Sequence, residues 1–348
     1  MLLVSERVLV AREVPFPYDH FLLEASGPVE GKVVIDAGSN AVHGIDAAAV
    51  SRYFNAPVVI AADVAGYPLR KKIFRLMDNL RAGDTLLLPL EWDFYSSGEV
   101  LSENFVTRVA NEQRQLAHYV AELPFLEKMR FVLLEYPVKH VFEAVWANRT
   151  ADPGNRSELD RLRRYETRFG RNDNSSYGGA LRDGPEKMDF IAAWAGSCDR
   201  YLFIRKDELR MAVSEGFLEG LALLERLRDR GVAIYFTWPA VVDSEKSTCY
   251  SNPRITGGLP AYARQIRSAV EASGFQMLGD YRDSHLPADC FLNTYYHVRW
   301  SCSHRRTEAL LGALSAGQVG PLDRPAGLTD LQSSFRRYLE AKRRALSP

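Results

Sequence analysis

The chain has 348 residues, of which 46% are hydrophobic and 25% are charged, which is enough apolar material for a large buried core. Basic and acidic residues both number 44, so the bulk charge draws the chain neither to nucleic acid nor to an acidic membrane. We therefore expect a globular, soluble protein with either one domain carrying long insertions or two domains.

The N-terminus and the cysteines carry little functional signal. The first 19 residues are interrupted by charges and do not form a signal peptide, and no later run reaches the ~18 apolar residues of a membrane span. As written, the chain is expected to be cytoplasmic, or periplasmic or envelope-associated if its true start lies upstream. The four cysteines show no C-x-x-C pair, so neither zinc nor a disulfide framework is expected. They are Cys198, Cys249, Cys290 and Cys302.

Apolar runs rich in valine, isoleucine and leucine alternate with helical segments along most of the chain. This alternation predicts a mostly parallel β-sheet covered by helices on both faces. The predicted strands are 32–36, 57–61, 85–90, 200–204, 232–237 and 275–278.

Three amphipathic helices are predicted between these strands, over 66–80, 216–229 and 262–273. Gly231 and Gly274 follow the last two at plausible C-cap positions. In the first helix, the basic side chains Arg70, Lys71 and Lys72 are assigned to the solvent side.

The middle of the chain fits the alternation less well. A mixed stretch over 105–146 looks helical, and a long polar stretch over 151–187 is interpreted as an insertion whose end returns to the functional site. The predicted domains are an N-terminal extension over 1–31, an α/β domain over 32–316 with an insertion at about 100–187, and a helical tail over 317–348.

The first predicted strand ends in Asp36-Ala37-Gly38-Ser39-Asn40. A serine there presents its hydroxyl at the carboxyl edge of the sheet, where α/β proteins bind ligands, so Ser39 is the candidate nucleophile. The same residues are also typical of a turn, and Ser39 could instead cap the helix that begins near Asp46. No Gly-x-Gly-x-x-Gly follows the strand, which disfavours a dinucleotide-binding protein.

Three further residues could complete a site for acyl chemistry. Gly66, beyond the second strand, allows backbone to approach a ligand, and its N–H could point at an oxyanion. The amide of Asn172 is the preferred side-chain donor, with Asn174 in reserve, although an Asx-turn explains either residue equally well. His297 lies in an aromatic-rich turn and could be the general base for Ser39 or simply a packed histidine.

In this order and at these separations, the four pieces resemble the SGNH (GDSL-like) hydrolase superfamily. That superfamily carries a serine after the first strand, a glycine after the second, a Gly-x-Asn-Asp block and a late Asp-x-x-His. The matching positions here are Ser39, Gly66, Gly170-Arg171-Asn172-Asp173 and His297.

The chain is most similar to a bacterial branch of SGNH-like proteins associated with exopolysaccharide or cell-surface modification. The segments that carry this similarity are Gly44-Ile45-Asp46, Leu88-Pro89-Leu90-Glu91, Tyr296-His297-Val298 and Arg306-Thr307. The resemblance implies a three-layer α/β/α, flavodoxin-like fold with a mostly parallel sheet and a helical insertion. It also implies an esterase or O-acyltransferase that acts on acyl, and in particular acetyl, esters of a carbohydrate without a cofactor or metal. Polysaccharide-assembly proteins are the expected protein partners.

The resemblance also implies a role for each site residue. Ser39 would attack the acyl carbonyl and His297 would remove its proton, while Asn293 or Asp289 would orient the imidazole. The oxyanion would be bound by the N–H groups of Ser39 and Gly66 and by the Asn172 side chain. The residues expected to contact substrate are Asn40, Glu91, Asn174 and Tyr296.

The chain departs from the family pattern around the histidine. The bacterial branch has an acid four residues before the histidine, where this chain has Asn293. The superfamily has an acid three residues before it, where this chain has Thr294, and the glycine expected five residues after it is replaced by Cys302. An asparagine can hold an imidazole but supplies no full charge, so a catalytically degenerate protein that binds polysaccharide or acts as a scaffold subunit is the alternative function. Five aromatic residues would suit a sugar-binding mouth or a core equally well. They are Trp92, Tyr95, Trp238, Tyr295 and Trp300.

Overall fold

The computed structural model describes residues 21–62, 69–96, 125–131, 213–242, 259–292, 294, 296–322 and 331–346. Its centre is a five-stranded sheet in the order β2-β1-β3-β4-β6, in which every neighbouring pair runs parallel. The strands are β1 (Val33–Ile35), β2 (Val58–Ile60), β3 (Thr85–Leu88), β4 (Ala233–Thr237) and β6 (Gln276–Leu278). A separate parallel pair consists of β5 (Val241–Val242) and β7 (His285–Leu286).

This sheet confirms the predicted α/β class with a mostly parallel sheet. Five of the six predicted strands belong to it, and the sixth, at 200–204, lies outside the described residues. Strands β1, β2 and β3 are buried along their whole length, as parallel strands covered on both faces must be.

Helices connect the strands and cover the sheet. The helices of the described residues are α1 (Phe21–Ser26), α2 (Ser39–Val42), α3 (Ala47–Phe54), α4 (Leu69–Met77), α5 (Asp93–Ser96), α6 (Phe125–Arg130), α7 (Glu215–Arg228), α8 (Leu259–Ala272), α9 (Ser303–Ala316) and α10 (Leu331–Leu346). Helices α4, α7 and α8 correspond to the three predicted ones. Gly231 and Gly274 follow α7 and α8 with φ values of +88° and +76°, a conformation that glycine adopts without the penalty of a Cβ atom.

The helices pack in groups against the sheet. Helix α4 lies against α7, and α3 lies against α9. Helix α10 packs on α1, where Ser334 donates a hydrogen bond to the Ala25 carbonyl and Tyr338 donates one to the Glu24 carboxylate. The two ends of the described chain therefore contribute to the same core. Within the described ranges, no helix has both the length and the apolar character needed to cross a membrane.

Lys72 corrects the prediction made for the first amphipathic helix. The sequence assigns it to solvent, but the structure buries it, with its Nζ donating to the Ala37 carbonyl at 2.8 Å and lying 3.8 Å from Asp36 Oδ1. Arg75, one turn later, donates to Asp36 Oδ2 at 2.9 Å and to the Ala61 carbonyl at 2.7 Å. Burial lowers the pKa of Lys72 to about 8, although the Asp36 carboxylate opposes the shift. These contacts join α4 to the carboxyl ends of β1 and β2.

A second buried ion pair lies at the opposite ends of the strands. Lys32 precedes β1 and donates to the carboxylate of Asp84, which precedes β3, and both side chains are fully buried. Asp84 also accepts from the backbone N–H groups of Lys32 and Arg81. Burial lowers the pKa of Lys32, and the Asp84 carboxylate opposes that shift.

We expect Asp84→Ala to lower the free energy of unfolding by about 3–5 kcal/mol, because it leaves the Lys32 ammonium buried without its counter-charge. The double variant Lys32→Met/Asp84→Leu removes both charges and should recover most of that loss. Urea unfolding followed by circular dichroism measures both variants. An equal loss in the single and double variants would contradict the assignment of the penalty to the unpaired charge.

Candidate functional site

Ser39 lies at the carboxyl edge of the sheet, four residues after β1 ends, and is the first residue of helix α2. Its side chain is partly exposed, whereas the neighbouring Gly38 and Asn40 are buried. The helix that Ser39 could have capped is capped by Asp46, whose Oδ1 accepts from the N–H groups of Ala48 and Ala49. Capping of α3 therefore does not explain the serine.

His297 lies beside Ser39. Its Nε2 is 2.6 Å from Ser39 Oγ, although the two residues are 258 positions apart in the chain. Both residues are only partly buried. The distance is that of a hydrogen bond between a hydroxyl and an imidazole acceptor, the geometry that a nucleophile needs with its general base.

Glu91 holds the turn that carries Ser39. Its carboxylate accepts from Gly38 N–H at 2.8 Å and from Asn40 N–H at 3.1 Å, and the residue is 0% exposed. The sequence assigns Glu91 to substrate binding, whereas in the structure both of its carboxylate oxygens accept hydrogen bonds beneath the turn. Burial raises the pKa of the Glu91 carboxyl, and the hydrogen bonds from Asn40 and Gly38 oppose the shift.

The backbone N–H of Ser39 lies between the two groups that Glu91 binds. It makes no hydrogen bond to any residue within the described ranges. Glu91 thus fixes the N–H groups on either side of Ser39 and leaves that of Ser39 available for a negatively charged oxygen.

Two other residues predicted to bind substrate also support the site from inside. Asn40 is fully buried and donates from Nδ2 to the Pro89 carbonyl at 3.0 Å. Tyr296 is buried, its hydroxyl accepts from Trp92 N–H at 3.2 Å, and burial raises its pKa well above the ordinary value. The sequence assigns both to substrate contact, whereas in the structure each side chain contacts the loop after β3.

The segment that presents His297 is a short hairpin closed by a disulfide bond. Cys290 and Cys302 are bonded to each other, with Cα atoms 5.5 Å apart. Inside that ring, Leu292 N–H donates to the His297 carbonyl at 2.9 Å, and Arg299 N–H donates to the Cys290 carbonyl at 2.7 Å. The expectation that the cysteines form no disulfide framework is corrected by this bond for Cys290 and Cys302. The missed signal is that they bracket the histidine, seven residues before it and five after.

Thr294 occupies the position of the superfamily acid, three residues before the histidine. Its Oγ1 accepts from Tyr296 N–H at 3.3 Å and from His297 N–H at 3.1 Å, so it shapes the backbone of the hairpin. Asp289 is exposed, and the described residues show no hydrogen bond from it to the His297 ring, so the structure does not bring this candidate acid to the site.

Five residues to which the sequence analysis gives a role at the site lie outside the described residues. They are Asn293, Gly66, Asn172, Asn174 and Tyr295. Of the other aromatic residues, Trp92, Tyr95 and Trp238 are buried in one ring cluster, which makes them core residues. Trp300 is 40% exposed and begins the turn that precedes α9.

His43 is a neighbour of the site that the sequence did not single out. Its ring stacks on that of His297, with ring centres 4.1 Å apart and planes 28° apart. It follows α2, so that it lies one helical turn after Ser39. That spacing, four residues after the candidate nucleophile, is the signal that could have found it.

The described ranges contain no group of three or more histidine, cysteine, aspartate or glutamate side chains arranged to hold a metal ion. Comparison with known proteins adds no family assignment: no protein-family profile and no curated protein matches the chain.

Removing the disulfide should loosen the hairpin that presents His297. We expect Cys290→Ser/Cys302→Ser to lower the free energy of unfolding by about 2–4 kcal/mol, the usual range for a bridge of this span. Dithiothreitol should destabilise the wild type to the same extent and leave the double variant unchanged, as measured by thermal unfolding. If the reductant lowers the melting temperature of both proteins equally, its effect does not come from the Cys290–Cys302 bond.

Replacing Glu91 with glutamine tests its control of the turn. The amide keeps the size of the side chain but directs an NH₂ group at one of the two backbone donors, so the Ser39 turn must shift. We expect Glu91→Gln to lower any Ser39-dependent turnover by about 10²-fold, the effect of a displacement near 1 Å in an active site. Glu340→Gln, on the exposed side of α10, is the matched control and should be neutral. Equal rates in the two variants would refute a positioning role for Glu91.

Proposed function

We propose that the chain is an SGNH-like serine esterase or O-acyltransferase that acts on acyl esters, with acetyl esters of a carbohydrate as the expected substrates. The observation that carries this proposal is the 2.6 Å contact between Ser39 Oγ and His297 Nε2 at the carboxyl edge of the parallel sheet. In open α/β sheets this edge is where ligands bind.

The strand order supports the same proposal. The order β2-β1-β3-β4-β6 is consistent with a flavodoxin-like doubly wound sheet, once the separate pair β5 and β7 is set aside. In the SGNH superfamily that this sequence resembles, the serine follows the first strand of such a sheet and the histidine precedes the last helix. Here Ser39 follows β1 and His297 precedes α9, an order that supports the proposal.

The proposed reaction begins with attack of Ser39 Oγ on the acyl carbonyl carbon while its proton passes to His297 Nε2. The resulting oxyanion accepts a hydrogen bond from Ser39 N–H, and the resemblance adds Gly66 N–H and the Asn172 amide as further donors. The leaving alcohol takes the proton from Nε2, which leaves the acyl group esterified to Ser39. Water or a sugar hydroxyl then attacks this ester, giving a free acid or a new acyl ester.

The orientation of the imidazole is assigned by the same resemblance to Asn293, through its carbonyl oxygen. The described residues contribute a backbone restraint, because Thr294 binds the His297 N–H and the disulfide closes the hairpin around it. Such an arrangement orients the base without a carboxylate at the family's position. It therefore stabilises the imidazolium less than a Ser-His-Asp triad does.

The carbohydrate part of the proposal has one candidate contact among the described residues. Trp300 follows His297 by three residues and has an exposed ring, and aromatic faces pack well against sugar rings. Since Trp92, Tyr95 and Trp238 are core residues, they do not contribute to such a surface.

Turnover of p-nitrophenyl acetate by the full chain tests the proposal. We expect Ser39→Ala to reduce turnover by at least about 10³-fold and His297→Ala by about 10²–10⁴-fold, as removal of a nucleophile or base does in serine hydrolases. Ser315→Ala, an exposed serine of α9, is the matched control and should retain full activity. Wild-type protein should also gain an acetyl group at Ser39 in a quenched reaction, detected by peptide mass spectrometry.

Equal turnover in wild type and Ser39→Ala would refute an esterase. That result would favour the alternative function, a polysaccharide-binding or scaffold subunit, which binding of acetylated and deacetylated oligosaccharides to the same two proteins would then measure.

A further inference from the structure

The catalytic serine and histidine are accompanied by a second histidine that the proposed mechanism does not use. His43 is 8% exposed, and its N–H donates to the Ser39 carbonyl at 3.1 Å. Its ring covers one face of the His297 ring at a centre-to-centre distance of 4.1 Å. The His297 ring therefore contacts both the His43 ring and the hydroxyl of Ser39.

We propose that His43 is a positioning residue for His297 and that the two stacked rings, both neutral before attack, take up one proton, on His297, when Ser39 attacks. This inference rests on the proposed function, because it deepens the role of the Ser39–His297 pair. It adds a specific requirement, that the general base be held flat against a second, neutral imidazole.

The positioning part follows from geometry. The direction of Nε2 depends on the rotation of the His297 ring about its Cβ–Cγ bond, a torsion with a broad range of allowed values. A flat ring packed at 28° to it blocks most of that rotation. The approach is possible because Gly44 has no side chain: a Cβ atom there would lie 3.2 Å from the Val298 Cβ and 3.2 Å from the Asn40 carbonyl oxygen. The segment after α2 can therefore lie close to the hairpin.

The protonation part follows from electrostatics. Two imidazolium rings whose centres are 4.1 Å apart repel each other, and partial burial weakens the screening by water. The pair must therefore take up its two protons in separate steps. A neutral His43 places an aromatic face against the imidazolium that His297 becomes during attack, which is a favourable contact.

Other ionisable groups lie on the elements around the pair. Among the described residues they are Glu91 beneath the turn, Asp46 at the start of α3, Asp289 and Arg299 on the hairpin, and His304, Arg305, Arg306 and Glu308 of α9. Arg306 is held away by bonds to Ser284 and the Trp238 carbonyl, and Arg299 by its bond to the Phe291 carbonyl.

The test combines kinetics with a titration that needs no activity. We expect His43→Ala to lower kcat for p-nitrophenyl acetate by about 10–100-fold at little change in KM, because the base loses its orientation. His43→Phe keeps a flat ring without a proton site and should restore most of kcat. Carbon-detected NMR of ¹³C-labelled histidine rings follows protonation directly in the full chain.

In wild type, the second proton of the pair should bind at least about one pH unit below the first, while His297 in His43→Phe should titrate in one step. Independent single-step titrations of both rings, unchanged for His297 in His43→Phe, would overturn the inference, as would equal kcat in wild type and His43→Ala. If the proposed function is wrong, turnover will not depend on Ser39. The NMR titration can still be interpreted in that case, because it needs no activity. If His43→Ala does not fold, His43→Phe alone decides the protonation step.

Discussion

The geometry of the site depends on one buried carboxylate. Glu91 extends from the end of β3 to the turn after β1, the neighbouring strand, and accepts from the N–H groups on both sides of Ser39. A carboxylate without solvent is unfavourable, and the raised pKa of Glu91 expresses that penalty. The raised pKa means that the folded state binds the Glu91 proton more tightly than the unfolded chain does. The contribution of Glu91 to stability is therefore greatest below the pKa of the unfolded chain and is lost as the pH rises through the pKa of the folded state. The two charge-assisted hydrogen bonds offset part of the penalty and fix the position of the nucleophile.

Each partner of Ser39 is fixed by different means. The strand below it is linked to α4 through Asp36, Arg75 and Lys72, which fills the space under the turn with paired charge. The hairpin that carries His297 is closed by a covalent bond and by backbone hydrogen bonds within the ring. The sheet, the ion pairs and the disulfide therefore converge on a contact of 2.6 Å between residues far apart in sequence.

Sequence periodicity predicts the sheet and its helices well, because parallel strands buried on both faces leave unbroken apolar runs. The contact between Ser39 and His297 can also be anticipated, because the order of the motifs along an α/β chain determines which loops meet at the carboxyl edge of the sheet. Local sequence pattern does not predict the environment of a side chain whose partner is distant along the chain. The sequence predicts that Lys72 is solvated, but in the structure it lies beside Asp36. It predicts that Glu91 contacts a ligand, but in the structure its carboxylate lies beneath the turn that carries Ser39. Two cysteines twelve residues apart form no motif, so only the hairpin shows that they are bonded.

The charges around the dyad bear on the step in which the proton moves. In the proposed reaction, attack by Ser39 creates an oxyanion and an imidazolium from a neutral pair, so the site must tolerate both. The negative charge of a carboxylate beneath the serine disfavours the oxyanion and favours the imidazolium. The N–H groups of Gly38 and Asn40 are bound to Glu91, whereas the N–H of Ser39 makes no hydrogen bond within the described residues and is the donor that the proposed reaction assigns to the oxyanion. With threonine in the acid's position, the proposed reaction has a backbone restraint beside the base in place of a carboxylate, and the ring packed against that base is the one of His43.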